Sequence, residues 1–213
     1  MTTPTVDTIH YVRLPKAMGA RAEMVRMAYV LAGRPYVDHL VGFADAAQTV
    51  ASKNPFKQFP FVVTAAGASV YQSIAIMHHA AHGTSAWPKD AAELTQALMV
   101  AQGAYDLYQA FGGFSADDAV ARAKFEEKRA PQFFGALGEI YATRKYAAGE
   151  VPTFADCITH QAIAWCVRRN EVAAGLLAKS DALRGFMTRF EAIPSIHAFM
   201  ERQAAARLID DAV

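Results

Sequence analysis

The chain has 213 residues, 53% of them hydrophobic and 19% charged, enough apolar material for a real core and too much for a disordered chain. Its 21 Lys and Arg against 20 Asp and Glu leave a formal charge of +1. With no basic cluster, the sequence argues against a nucleic-acid partner. Two cysteines exclude a disulfide framework and fit a thiol-reducing, cytoplasmic setting. The first 20 residues carry Asp7, His10, Arg13 and Lys16, so no apolar signal core is read there. The uncharged stretch 59–77 contains Pro60, Gly67 and Gln72 and reads as short strands and a turn, so no membrane partner is expected.

Residues 8–14 are rich in β-branched and aromatic side chains (Ile9, Tyr11, Val12), which suits a buried strand with Tyr11 in its middle. Met24, Ala28, Leu31 and Ala32 recur at helical spacing over 21–32, and Gly33 and Pro35 mark the stop. A second strand is predicted at 36–41, completing a βαβ unit. The stretch that follows is poorly patterned. Phe61-Val62-Val63 and Ser69-Val70-Tyr71 then flank Ala65-Ala66-Gly67, the pattern of a hairpin, and Gln72-Ser73 opens a helix over 74–81. Beyond the loop-like run Gly83 to Pro88 only helices are predicted: 91–111, 117–146 interrupted at Pro131, 154–169, 181–191 and 195–208. The expected architecture is an N-terminal α/β domain (1–83, βαβ-ββα), a linker (84–90) and an all-α domain (91–213).

Several residues carry chemistry on their own account. Pro60 is a candidate cis peptide, and such a bend would turn the N–H and C=O of Phe59 outward to meet an extended peptide. Ser73 at a helix N-terminus offers a hydroxyl, free N–H groups and the positive end of the dipole, together a carboxylate site; Gln72 adds an amide. Thr153 and Asp156 have capping-box spacing, a structural device that contributes about 1 kcal/mol. His78 and His82 have an i,i+4 metal-ligand spacing, yet no third ligand is evident and no metal is expected. Cys157 and Cys166 lie roughly 13 Å apart along one helix, too far to bridge, and read as small buried hydrophobes.

The landmarks Tyr11-Val12-Arg13-Leu14, Arg21-Ala22-Glu23, Asn54-Pro55-Phe56-Lys57-Gln58-Phe59-Pro60, Tyr71-Gln72-Ser73-Ile74-Ala75-Ile76, Thr153-Phe154-Ala155-Asp156 and Ile193-Pro194 occur in an order that resembles the cytosolic glutathione transferases. The sigma class, which includes prostaglandin D synthase-like proteins, is the nearest resemblance, and it covers nearly the whole chain. It implies a thioredoxin-like N-terminal domain followed by a helical bundle. It also implies a detoxification-type homodimer in which Phe56 resembles the lock aromatic of some classes, although the sigma class lacks that lock. By resemblance, Gln58, Phe59, Pro60, Gln72 and Ser73 bind glutathione, with Gln72 and Ser73 on its γ-glutamyl end and Ser73 serving as cap and ligand at once. Tyr105 and Tyr108 fall where the family's fourth helix faces a hydrophobic pocket. Helix core is the alternative for both.

The departures from the family pattern concern the chemistry. In the tyrosine-type classes a Tyr at the end of the first strand, six residues before the Arg that matches Arg21, hydrogen-bonds the glutathione thiolate. Six residues before Arg21 stands Pro15, which has no donor, and Leu14 to Arg21 contains no Ser or Cys. Lys16 is the next candidate, because a nearby cation favours thiolate, with Arg21 acting at longer range. Tyr11 is set aside as a mid-strand core residue. The Trp and Lys that hold the glycine carboxylate in the sigma pattern correspond to Ala46 and Val50, leaving Gln48, Lys53 or Gln58 as substitutes.

Two functions follow. The first is an enzyme that joins glutathione to, or uses it to isomerise, a small hydrophobic electrophile, with an atypical thiol-activating site and no cofactor beyond glutathione as co-substrate. The second is a non-catalytic binding or assembly module of the same fold. Pro15 favours the second, whereas Pro60, Gln72 and Ser73 favour the first.

Overall fold

The computed structural model describes residues 6–13, 20–51, 53–115 and 117–210. In chain order its elements are β1 (Asp7–Val12), α1 (Ala20–Leu31), β2 (Tyr36–Val41), α2 (Phe43–Ala51), β3 (Phe61–Val63), β4 (Ser69–Tyr71), α3 (Ser73–Ala81), α4 (Ala91–Gly112), α5 (Ala119–Lys124), a π-helical turn (Phe125–Arg129), α6 (Ala130–Thr143), α7 (Phe154–Val167), α8 (Glu171–Lys179), α9 (Asp181–Glu191) and α10 (Pro194–Asp210). The chain divides into two compact units, Met1–Thr84 with Pro194–Val213, and Ser85–Ile193. A thioredoxin-like α/β unit and an all-α unit are thus both present. The last helix, read from sequence as part of the all-α domain, groups with the α/β unit because it packs on α1.

In the first unit a four-stranded sheet has the order β2-β1-β3-β4. β1 pairs with β2 in parallel, as a βαβ unit requires, and β3 pairs antiparallel with both β1 and β4. Ile9 and Tyr11 are buried while Thr8, His10 and Val12 are half-buried, the period-two alternation of a strand. Met24, Met27 and Ala28 of α1 and Ile76, Met77 and Ala80 of α3 are fully buried, and the two helices pack together. The β3–β4 hairpin turns at Gly67 (φ +84°), a conformation glycine adopts without a Cβ clash, and Thr64 Oγ1 accepts the Ala68 N–H at 3.1 Å.

Asp7 ties four elements at the start of β1. Its Oδ1 accepts the Ala65 N–H at 2.9 Å, and its Oδ2 meets the Tyr29 hydroxyl at 2.8 Å and His79 Nε2 at 3.0 Å. Burial works to raise this carboxyl, but the hydrogen bonds from Tyr29, Ala65 and His79 outweigh it and hold Asp7 below the ordinary carboxylate value. A second polar pin joins α1 to β2, where Arg26 Nε reaches both Asp38 oxygens at 3.0 and 2.9 Å and Nη1 reaches Glu23 at 3.3 Å.

The second unit is built on α4 and α7. Small buried residues, Ala97, Ala101 and Ala104 on one helix and Ala155 and Ala162 on the other, permit close approach. The predicted capping box is formed by Thr153 and Asp156. Asp156 does more than cap, since its carboxylate also accepts the Ala147 N–H at 2.8 Å and the Tyr141 hydroxyl at 3.0 Å. The predicted 117–146 helix, expected to be interrupted or kinked at Pro131, runs in helical turns from Ala119 to Thr143 without a break at the proline. The chain accommodates it with the π-helical turn, in which the Ala130 N–H returns to Phe125, and α6 then begins with the proline in its first turn. Cys157 and Cys166 are free and buried, and burial pushes the Cys166 thiol up to about 12.

Two helices were not legible as such. α2 lies in the stretch read as poorly patterned; Phe43, Ala46, Ala47 and Val50 do recur at helical spacing there, but Phe43 is exposed and Val50 is its buried residue among those described. α8 carries Gly175 in its interior and is started by Asn170, whose side chain accepts the Ala173 N–H at 2.9 Å. The first strand also ends earlier than predicted, at Val12 instead of 14, which makes Tyr11 its penultimate residue and not its middle.

Candidate functional site

Strand register gathers the predicted site residues of the first unit at one end of the sheet. His10 on β1 is opposite Phe61 on β3, and Phe61 is opposite Tyr71 on β4. The residues that follow β1 and β4 and those that precede β3 therefore share one end. Tyr11, Phe59, Pro60, Gln72 and Ser73 all lie within two positions of this row. The carboxyl ends of β1, β2 and β4 point to it, and β3, which runs the other way, enters from it.

The Phe59–Pro60 peptide is cis. Phe59 is half-buried, with its ring 5.6 Å from that of Phe61 and edge-on to Tyr11 at 6.4 Å. Among the described residues, no hydrogen bond occupies the Phe59 N–H or C=O. The turn before it is organised by Asn54, which is 2% exposed. Its Oδ1 accepts the Phe56 N–H at 2.8 Å and its Nδ2 donates to the Gln58 carbonyl at 2.7 Å. The Gln58 side chain is exposed.

At the start of α3, Gln72 holds φ 71° and ψ 123°, a left-handed φ that a residue with a side chain rarely adopts. Gln72, and not Ser73, is the N-cap residue, and its carbonyl accepts the Ile76 N–H at 2.9 Å. Ser73 is the first residue of the helix and 4% exposed, so the expectation that it caps is corrected. The Gln72 side chain makes no cap hydrogen bond, unlike the N-caps of α4, α5, α8 and α9, where Asp90, Asp118, Asn170 and Ser180 accept a helix N–H. The first-turn donors and the positive dipole end remain at Gln72 and Ser73.

Arg21 is half-buried in the first turn of α1, directly after Ala20 at φ 36°. Pro15 and Lys16 lie outside the described residues. Gln48 and Lys53 are exposed. Burial, together with His39 and Lys53, pushes the imidazole of His10 down to about 4, so it is neutral at pH 7. His78 and His82 have ring centroids 6.5 Å apart, and no cluster of three His, Cys, Asp or Glu suited to a metal occurs among the described residues. No helix among those residues is long and apolar enough to cross a membrane.

Tyr105 and Tyr108 lie in the second unit. Tyr108 is 5% exposed and packs against Trp165 at 5.4 Å, whereas Tyr105 is half-buried and stacks on Tyr108 at 6.3 Å. Sequence reasoning missed two residues at the sheet end. Asn54 carries one signal in the sequence, its position before Pro55 in a turn-forming pair. Tyr11 was seen but placed in mid-strand.

These features define one end of a thioredoxin-like sheet, and comparison with known proteins bears on the fold that carries it. Residues 105–203 match the family model for the glutathione S-transferase C-terminal domain. Among solved structures, the chain is similar to rat hPGDS complexed with a quinoline, at 21% identity over 92% of this chain and 96% of that one, with a TM-score of 0.76. It is also similar to the Onchocerca volvulus Pi-class glutathione S-transferase, at 19% identity, 95% of each chain and a TM-score of 0.80. A third is monomeric Na-GST-3, a glutathione S-transferase from the hookworm Necator americanus, at 18% identity, 92% and 97% coverage and a TM-score of 0.78. No curated protein matches at the sequence level. The chain has the glutathione transferase fold, and the match to the C-terminal domain model falls largely in its all-α unit.

Proposed function

We propose that this protein binds glutathione at the end of its sheet and conjugates it, through its deprotonated sulfur, to a small hydrophobic electrophile, or uses it to isomerise one. The observation that carries the proposal is the register. It brings together the helix N-terminus at Gln72 and Ser73, the main chain of Phe59 and the hydroxyl-bearing Tyr11. The γ-glutamyl carboxylate suits the helix N-terminus, where N–H groups and dipole favour an anion. The cysteinyl main chain suits the Phe59 N–H and C=O. Gln58 lies beside them, and Gln48 or Lys53 supplies polar contacts for the glycine end. Glutathione is co-substrate, and the proposal invokes no other cofactor.

For the thiol, counting from Arg21 selects Pro15, but the strand selects Tyr11. Tyr11 sits near the end of β1 against Phe59, the position that the tyrosine-type classes use. The longer connection from Tyr11 to Arg21, ten residues instead of six, accounts for the mismatch. In this reading the Tyr11 hydroxyl donates to the thiolate, and Arg21 and Lys16 add positive potential. Holding thiolate and electrophile together makes the attack effectively intramolecular. The proposal extends to a homodimer in a cytoplasmic setting.

Retention on immobilised glutathione, followed by a chromophoric conjugation assay, tests the reading. Retention with turnover supports the enzyme. Retention without turnover, across several electrophiles, leaves a non-catalytic binding module, and no retention rejects the glutathione reading and leaves an assembly module.

A further inference from the structure

We propose that Asn54 is a positioning residue for ligand recognition: its side-chain amide fixes the Gln58–Phe59 peptide plane, so that the Phe59 N–H faces the cysteinyl carbonyl of the bound tripeptide. This inference rests on the glutathione reading above and names a residue that the reading does not use.

The argument starts from the peptide unit. In a planar trans peptide the C=O and N–H point in opposite directions. Gln58–Phe59 is such a unit, the cis bond being the next one. Asn54 Nδ2 holds the Gln58 oxygen at 2.7 Å, so the Phe59 N–H is aimed away from Asn54. That N–H finds no acceptor among the described residues. Pro60 has no N–H, which makes Phe59 the last main-chain donor before the β3 ladder begins at Phe61.

The anchor is itself well fixed. The Asn54 N–H donates to the Val50 carbonyl at 2.9 Å, and the Asn54 carbonyl accepts from Lys57 at 2.9 Å. Lys57, at φ 51°, reverses the chain so that Gln58 returns to the Asn54 side chain. One side chain must here accept from Phe56 and donate to Gln58 simultaneously, and an amide does both. Aspartate keeps the acceptor and loses the donor. At 2% exposure the amide has little bulk water to exchange with.

The test uses the untagged full chain and two ligands, glutathione and an analogue whose cysteinyl carbonyl is reduced to a methylene. Calorimetry should show wild type preferring glutathione over the analogue by about tenfold or more, the effect of one hydrogen bond. Asn54→Asp should bind glutathione about tenfold more weakly and bind the analogue almost unchanged, so that the preference collapses. Ser73→Ala should weaken both ligands alike. A merely structural role for Asn54 would also weaken both alike, and that result overturns the inference. So does an Asn54→Asp variant, folded by circular dichroism, that keeps both affinity and preference. If Asn54→Asp does not fold, amide exchange on wild type decides: glutathione, and not the analogue, should protect the Phe59 N–H. Equal protection by both ligands overturns the inference. Wild type that binds no glutathione rejects the functional reading itself, a result distinct from these.

Discussion

The ring of Tyr11 stands edge-on to that of Phe59, with centroids 6.4 Å apart and planes at 86°. One residue is the penultimate of the first strand and the other precedes the cis proline, 48 positions later. If Tyr11 activates the thiol, Tyr11→Phe should keep the ring contact and lose only the hydroxyl. One hydrogen bond to a charged group contributes about 1.5–3 kcal/mol, so kcat/KM should fall roughly ten- to a hundredfold. Thiolate absorbance of bound glutathione should shift to higher pH in the variant. Lys16→Ala, Arg21→Ala and Pro15→Tyr complete the series, and a larger effect in either cation variant than in Tyr11→Phe would reassign the role.

Gln72 and Ser73 should act on affinity before rate. Removing either side chain should weaken glutathione binding about tenfold or more, because each is proposed to meet a carboxylate. Gln72→Gly is the informative companion. It relieves the positive φ, so the fold should gain slightly in melting temperature while glutathione affinity drops. Calorimetry on the three variants, with melting curves, separates backbone strain from ligand contact.

Asp7 makes the first unit acid-sensitive. Its folded-state carboxyl is held below its ordinary value, so its contribution is present above the unfolded value and lost as pH falls through the folded one. Asp7→Ala leaves the Ala65 N–H, the Tyr29 hydroxyl and His79 without their acceptor and should cost roughly 2 kcal/mol at pH 7. Denaturant melts at several pH values should show the gap between wild type and variant closing in acid.

Asp156 should behave with the opposite sign. Burial raises its carboxyl from 3.8 to about 6 despite hydrogen bonds from Thr153, Ala147 and Tyr141. The folded state therefore holds the proton more tightly, and this group's contribution is full below the unfolded value and declines as pH rises through about 6. Asp156→Asn should flatten that slope. Asp156→Ala, which strands several buried donors, should cost about 3 kcal/mol or more. Calorimetric melts across pH 3–7 measure both.

Phe56 is 57% exposed, with its ring edge-on to Tyr71 at 5.6 Å. If it contributes to a homodimer, sedimentation at micromolar concentration should give twice the chain mass, and Phe56→Ser should shift the equilibrium toward monomer. A single-chain mass for wild type would reject the dimer.

Local chemistry made much of this protein legible in its sequence. Period-two and helical spacings gave the strands, the hairpin and the long helices, because burial of one face imposes them on any chain that folds this way. Thr153 and Asp156 announced their capping box, since it acts within one helical turn. The fold family was readable from the order of such landmarks. What only the tertiary structure decided depends on residues far apart in the chain. Register set Tyr11 beside Phe59, and counting residues from Arg21 could not find that placement because a connecting loop changes length without moving the strand it leaves. Packing on α1 drew α10 into the first unit, although its spacing reads as one more bundle helix. α2 went unseen although Phe43, Ala46, Ala47 and Val50 recur at helical spacing, because the run is short and two of these four positions are alanines. The work of Asn54 was hidden because a buried amide is recognised by what it holds, and its two partners are fixed by the path of the turn.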